Sequence, residues 1–216
     1  MQSTMDIVEN INLLKENIIK SFKQESIDVY LFLKAELKTT DVTCNHLFQY
    51  VYRHFYGMNR AGLTDNFYKE YFKTLEKYKN KPELFNLERV IKQFLDFNSR
   101  NRKGKEEKSL QFSFLTKLFH SINPKNPIYD KFVCKACGIS QYYTSEENKK
   151  IKSLIVAYEK IESIYSSITK ENSLSELIKE FDKNFNTEKL TLTMKYDFIF
   201  WEAGKLLDNV KTKPNR

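Results

Sequence analysis

The chain of 216 residues is 41% hydrophobic and 30% charged, which is typical of an ordinary soluble globular protein and excludes an intrinsically disordered one. This length suits a single helical domain over 1–216, or two interleaved lobes of about 1–97 and 98–216. A net charge of +8 and a pI near 9.1 favour a polyanionic partner, chiefly nucleic acid, although lysine-rich chains also occur in A/T-biased genomes.

The N-terminal segment is amphipathic and acidic and lacks the apolar core of a secretory signal. No stretch approaches the run of about 18 apolar residues that a membrane span requires. We therefore expect no membrane association and a cytoplasmic location, where the three cysteines are free thiols.

The spacing of apolar residues predicts five amphipathic helices in the first half of the chain. The first is predicted over 4–22, and the second begins at Ser26 or Asp28. The third follows the capping residues 39–41 and ends with Gly57 as its C′ residue. The fourth is capped by Thr64 or Asp65, and the fifth has Pro82 in its first turn.

The most polar stretch follows, between Asn98 and Lys108, and is predicted to be a loop. Its only glycine is Gly104. One interpretation is a solvated connector, and the sharper one is a loop that contacts phosphates. The cations of this stretch are Arg100, Arg102, Lys103, Lys105 and Lys108.

A central helix is predicted from about Ser109 to Ser121, with apolar residues at three- and four-residue steps over one broad side. A narrow polar stripe on this helix includes Lys117 and His120. Prolines stop the helix and stiffen the following loop, and Asp130 is then the natural N-cap of another helix.

Four helices are predicted beyond Asp130. They are a short helix ending at Gly138, a long one opened by a capping box of Thr144 and Glu147, one opened by Ser173 with Glu176, and a last one from Thr191 or Thr193, followed by a frayed tail over 211–216. With about ten helices and little or no sheet, we expect an all-α orthogonal bundle.

Several common chemistries lack their motifs, since the chain contains no phosphate-binding P-loop, no H-E-x-x-H and no G-x-G-x-x-G. Cys134 and Cys137 form a C-x-x-C, but a zinc site would need them to converge with the distant Cys44 and His46. We therefore interpret the cysteines as structural and expect neither a metal nor a cofactor.

An apolar helix, a short loop, the residues Pro-Ile-Tyr-Asp at 127–130 and a new helix together resemble the core of the helix-hairpin-helix DNA glycosylases. The endonuclease III and 8-oxoguanine glycosylase families belong to that superfamily, and the resemblance covers about residues 85–207. There the aspartate of a P-x-D-like element lies at a helix N-terminus and faces the flipped nucleotide. This chain has one more residue between Pro127 and Asp130, only Gly104 in place of the glycine-rich hairpin upstream of Gln111, and no iron–sulfur cysteine cluster.

The resemblance implies a DNA-binding protein that excises a flipped base, with Asp130 stabilising the oxocarbenium-like sugar or orienting water. Lys108 or Lys117 would supply positive charge or a nucleophilic amine. The expected substrate-binding residues are Gln111, His120 and Tyr129, and the expected phosphate contacts are Arg100, Arg102, Lys103 and Lys105.

Three of these residues also have a simpler interpretation. Asp130 suits a purely structural N-cap, and Lys117 and His120 suit a solvent-facing stripe. The alternative function is a non-catalytic helical module that binds DNA or a protein partner.

Overall fold

A computed structural model describes residues 3–140 and 146–211. Within these residues the chain forms eleven α-helices and one two-stranded sheet, so the predicted all-α class is confirmed. No helix in this part of the chain combines the length and apolar character needed to cross a membrane. The chain divides into two compact units, one made of 1–24 and 125–216 and the other of Glu25–Pro124.

The helices and strands have the following bounds. They are α1 (Thr4–Leu13), α2 (Lys15–Ser21), α3 (Gln24–Thr39), α4 (His46–Phe55), α5 (Asp65–Tyr78), α6 (Leu87–Leu95), β1 (Arg100–Arg102), β2 (Lys105–Glu107), α7 (Phe112–Ile122), α8 (Lys131–Ala136), α9 (Glu147–Glu171), α10 (Ser175–Asn184) and α11 (Leu192–Lys211).

In the first unit, α11 packs along α8 and α2, while α1 packs on α9 and α10 packs on α2. Gly204 of α11 faces the backbone of Phe132 in α8, and a Cβ at this position would overlap the Phe132 carbonyl group. Only glycine therefore allows the backbones of these two helices to approach so closely.

In the second unit, α7 packs against α5 and α6 around an aromatic core. The hydroxyls of Tyr52 and Tyr71 lie 2.9 Å apart, and the Tyr71 hydroxyl donates to the Phe114 carbonyl of α7 at 2.9 Å. Burial raises the pKa of Tyr71 well above its ordinary value, so this phenol stays protonated and keeps its role as a donor.

Three predicted helix ends are confirmed. The Thr64 hydroxyl accepts from the Phe67 amide and caps α5, and the Thr191 hydroxyl accepts from the Met194 amide at the start of α11. Gly57 follows α4 with a φ of 70°, the left-handed conformation of a C′ residue.

Other predicted helix ends are wrong. The predicted helix over 4–22 is interrupted at Leu14, and Pro82 begins a separate 3-10 turn because Asn86 caps α6. The cap of α4 is Asn45 and not one of the residues 39–41. The helix predicted to start at Ser26 or Asp28 is α3, which begins at Gln24, and the helix predicted to open at Ser173 is α10, which begins at Ser175 without a side-chain cap. The predicted cap at Thr144 and the tail beyond 211 lie outside the described residues.

The basic stretch predicted as a loop is instead a short hairpin, in which β1 pairs antiparallel with β2. Lys103 and Gly104 form its turn with φ values of 51° and 81°, the positive values that suit the twist of a tight hairpin. The Asn101 amide donates to the Gly62 carbonyl at 2.7 Å, so a segment before α5 also holds β1 in place.

Candidate functional site

The segment 125–130 belongs to the first unit and is held from two sides. The Ile128 amide donates to Asp197 Oδ1 at 3.1 Å, and the Tyr158 hydroxyl donates to the Pro127 carbonyl at 3.1 Å. Since both acceptors and donors are buried, these bonds fix the backbone that leads into Asp130.

Asp130 is the N-cap of α8, as predicted. Its Oδ1 accepts from the Phe132 amide at 3.0 Å, and its φ of −134° and ψ of 154° are those of an extended cap residue. The side chain is half-buried, and α8 closes at Gly138 with a left-handed φ of 61°. The carboxylate is therefore positioned by a short, well-terminated helix and by the fixed segment before it.

Asp197 is a second carboxyl of the same unit that the sequence analysis missed. Only 4% of its surface is exposed, and its Oδ1 also accepts from the Tyr165 hydroxyl at 3.0 Å. Burial raises the pKa of Asp197 well above its ordinary value, and the charge of Asp130 acts in the same direction. A lone acid inside the aromatic run of 196–201 was the available signal, because an apolar helix face rarely carries a carboxyl without a role.

Tyr129 is buried next to Asp130 and hydrogen-bonds to the Cys134 thiol. Burial raises the pKa of Cys134 to about 12, an effect that the bond from Tyr129 partly offsets. Cys137 is also buried and free, whereas Cys44 is exposed. No group of three or more His, Cys, Asp or Glu residues suited to a metal ion occurs among the described residues.

Lys117 and His120 lie in the second unit and are buried, at 7% and 0% exposure, rather than facing solvent. The Lys117 ammonium contacts the Tyr56 carbonyl at 3.4 Å, and His120 Nε2 lies 3.3 Å from the Tyr30 hydroxyl. The simpler interpretation of both as surface residues is therefore wrong, because α7 lies in the core of its unit and its polar stripe meets polar partners there. Their predicted functional roles stay predictions.

Lys108 and Gln111 belong to the second unit as well. Lys108 is exposed, with its ammonium 4.0 Å from Asp96 Oδ1. The Gln111 amide nitrogen donates to the Ser99 hydroxyl at 3.4 Å and to the Ser109 carbonyl at 3.3 Å. The predicted catalytic and substrate-binding set is thus divided, with Tyr129 and Asp130 in the first unit and Lys108, Gln111, Lys117 and His120 in the second.

The hairpin carries the predicted phosphate contacts in the second unit. Arg100 is half-buried and its Nε donates to the Ala61 carbonyl at 3.2 Å, whereas Arg102 lies on the exposed side with its Nε 3.1 Å from Glu107. Lys103 and Lys105 are exposed at and beside the turn. The fold therefore brings cationic side chains together on an ordered two-stranded support.

A pocket of about 410 Å³ lies in the first unit between α9, α11 and the segment 125–127. Its buried part is formed by Pro127, Tyr165 and Tyr196, and the two tyrosine rings lie 5.3 Å apart. Lys170 and Glu162 contribute charges. Sequence reasoning did not find this pocket, because its residues come from three separate segments.

No family model, curated protein or solved structure matches this chain.

Proposed function

We propose that the protein binds nucleic acid through the basic hairpin formed by β1 and β2. The observation that supports this most directly is the exposed pair Lys103 and Lys105 at an ordered turn, beside Arg102. Exposed cations on a fixed support neutralise phosphates and release counterions, and the ordered turn reduces the entropy that binding would otherwise cost. The net charge of +8 favours the same partner.

The charge of the hairpin is unevenly distributed. Residues 100–108 contain five Lys or Arg against two Glu, and Glu107 is already paired with Arg102 at 3.1 Å. The turn is thus the most cationic part of the hairpin, and it is where a phosphate backbone gains most from contact.

The test is a salt titration of DNA binding by fluorescence anisotropy, with parent protein and the double variant Lys103→Asn, Lys105→Gln. Asn tolerates positive φ, so the turn is preserved while two charges are removed. We expect weaker binding to every sequence, and a plot of log K against log salt that is shallower by about 1.8 for duplex DNA.

A matched control removes two charges from α10, at Lys179 and Lys183, which are both exposed. If this variant loses as much affinity as the hairpin variant, overall charge rather than the hairpin carries binding. An absence of parent binding at low salt, about 50 mM, would refute the proposal.

A second candidate is excision of a flipped base with the assistance of Asp130. It is favoured by the half-buried carboxylate at the start of α8 and by the fixed segment before it. Fixed charge near a developing oxocarbenium ion stabilises the transition state without reorganisation.

Asp130→Asn is the decisive variant, since asparagine caps helices as well as aspartate and should preserve α8. Base release from a panel of damaged duplexes is expected to fall by orders of magnitude at unchanged DNA affinity. Full activity of the variant would reject this role for Asp130.

Binding without base release by the parent would instead favour the alternative, a non-catalytic helical DNA-binding module. An absence of DNA affinity even at low salt would favour a module that binds a protein partner.

A further inference from the structure

The pocket in the first unit has the size and rigidity of a small-ligand site. Its volume of about 410 Å³ falls within the range of about 300–1,000 Å³ that small-molecule pockets occupy. Tyr165, in its buried part, donates to Asp197 at 3.0 Å, and the Thr169 hydroxyl lies 3.5 Å from the Tyr196 hydroxyl. Because its walls are tied together by hydrogen bonds, the pocket exists before a ligand arrives.

The buried part of this pocket suits a flat ring. Pro127 and the rings of Tyr165 and Tyr196 line it, and the two rings meet at 63°. Aromatic edges and faces of this kind pack well against a heterocycle, and the contact depends little on which heterocycle is bound.

The charged lining suits a ligand with an anionic end and a donor end. The pocket is lined by two lysines, Lys125 and Lys170, and by one carboxyl, Glu162. When all three are charged, the lining carries a net charge of +1. Ammonium groups bind phosphate as point charges, and a carboxylate accepts N–H bonds such as those of an exocyclic amine. Burial, assisted by Glu159, raises the pKa of Glu162, so a donor from the ligand relieves a carboxylate that is incompletely solvated.

Three hydroxyls complete the lining, on Ser166, Thr169 and Thr193. Hydroxyls donate and accept, so they match the hydroxyls of a sugar as well as phosphate oxygens. The Thr193 hydroxyl donates to the Lys125 carbonyl at 3.3 Å, which ties α11 to the segment that carries one of the lysines.

We propose that this pocket binds a mononucleotide, with its base against Tyr165 and Tyr196 and its phosphate towards Lys125 and Lys170. A ring, a sugar and a phosphate account for the aromatic, hydroxyl and ammonium groups of the lining together. The inference is independent of the proposed nucleic-acid function, because it concerns free mononucleotides and residues remote in sequence from the hairpin.

Isothermal titration calorimetry on the full chain tests the proposal with the four 5′-monophosphates, adenosine, ribose 5-phosphate and inorganic phosphate. We expect at least one monophosphate to bind, and adenosine and ribose 5-phosphate each to bind about tenfold more weakly or worse, since each lacks one end of the ligand. Equal binding of ribose 5-phosphate and the nucleotides would overturn the proposal in favour of a sugar-phosphate site. Failure of all four monophosphates to bind would overturn it outright.

Two variants locate the site. Ser166→Trp places a large ring in the pocket and should abolish binding, while Ser163→Trp, at an exposed position on α9 outside the pocket lining, should leave it unchanged. Lys170→Ala should weaken a monophosphate about tenfold and leave the nucleoside unaffected. Unchanged nucleotide affinity in both Ser166→Trp and Lys170→Ala would overturn the assignment, and loss of binding in hairpin variants alone would do the same.

Discussion

Replacing Asp197 with alanine tests whether this carboxyl holds the segment that leads into Asp130. The change leaves the Ile128 amide and the Tyr165 hydroxyl without their acceptor in the interior of the first unit. Each buried donor without a partner costs about 1–3 kcal/mol, so the two together cost about 2–6 kcal/mol. That is a large part of the stability of an ordinary domain, about 5–15 kcal/mol, and we expect Asp197→Ala to unfold at much lower denaturant or to misfold.

Asp197→Asn separates the hydrogen bonds from the charge. The amide oxygen can accept from the same two donors, so the loss at acidic pH should stay below about 1.5 kcal/mol. The sign of the pH effect follows from the raised pKa of Asp197, whose ordinary value is 3.8. Above pH 3.8 the carboxyl of Asp197 loses its proton in the unfolded chain but keeps it in the folded chain. The free energy of unfolding of the parent therefore falls by up to about 1.4 kcal/mol per pH unit, until the pH passes the pKa of the folded state.

Urea unfolding of the parent and of Asp197→Asn, followed by far-ultraviolet circular dichroism from pH 4.5 to pH 8, measures this difference. All other acids are common to both proteins, so the difference between the two pH profiles isolates the contribution of Asp197. The free energy of unfolding of Asp197→Asn should rise steadily relative to that of the parent as the pH increases. Parallel pH profiles would show that Asp197 is ionised in the folded protein, and the reasoning from burial would be refuted.

Two further predictions concern packing and the thiols. Gly204→Ala should cost about 1–3 kcal/mol or more in chemical unfolding, because its Cβ would overlap the Phe132 carbonyl. A loss below about 1 kcal/mol would contradict the close approach of α8 and α11. With a thiol reagent at pH 8, the exposed Cys44 should react rapidly in the folded protein. Burial raises the pKa values of Cys134 and Cys137, so these two thiols should react only after unfolding. Rapid reaction of all three thiols in the folded chain would contradict this.

The features that sequence reasoning predicted correctly are governed by chemistry within a few residues. The Asp130 cap needs only a short acid before an apolar first turn, and the carboxylate bonds two residues along the chain. Gly57 needs only its freedom to adopt positive φ after α4. Such local signals do not depend on residues far away in the sequence. They mark where helices begin and end, so the all-α class could also be predicted.

The features that were missed depend on partners far away in the sequence. The strands of the hairpin have no apolar alternation, so the sequence predicts a loop, yet backbone hydrogen bonds from Asn101 to Gly62 and from Thr64 to Ser99 hold this stretch in place. A polar stripe usually faces water and so favours a surface position for Lys117 and His120, yet in the core they contact the Tyr56 carbonyl and the Tyr30 hydroxyl. Spacing along one helix identifies a shared face, but only the fold decides what covers it.

Asp130 and Asp197 of the first unit differ in burial and therefore in what their carboxyl groups do. Asp197 lies in the interior, where its carboxyl accepts from the Ile128 amide and fixes the backbone. Asp130 lies at a half-buried helix start, where its Oδ1 accepts from the Phe132 amide and caps α8. A charge at Asp130 opposes one at Asp197, so it acts together with burial in raising the pKa of Asp197. A change at Asp197 should therefore loosen the segment that leads into Asp130, whereas a change at Asp130 that removes its oxygens should uncap α8.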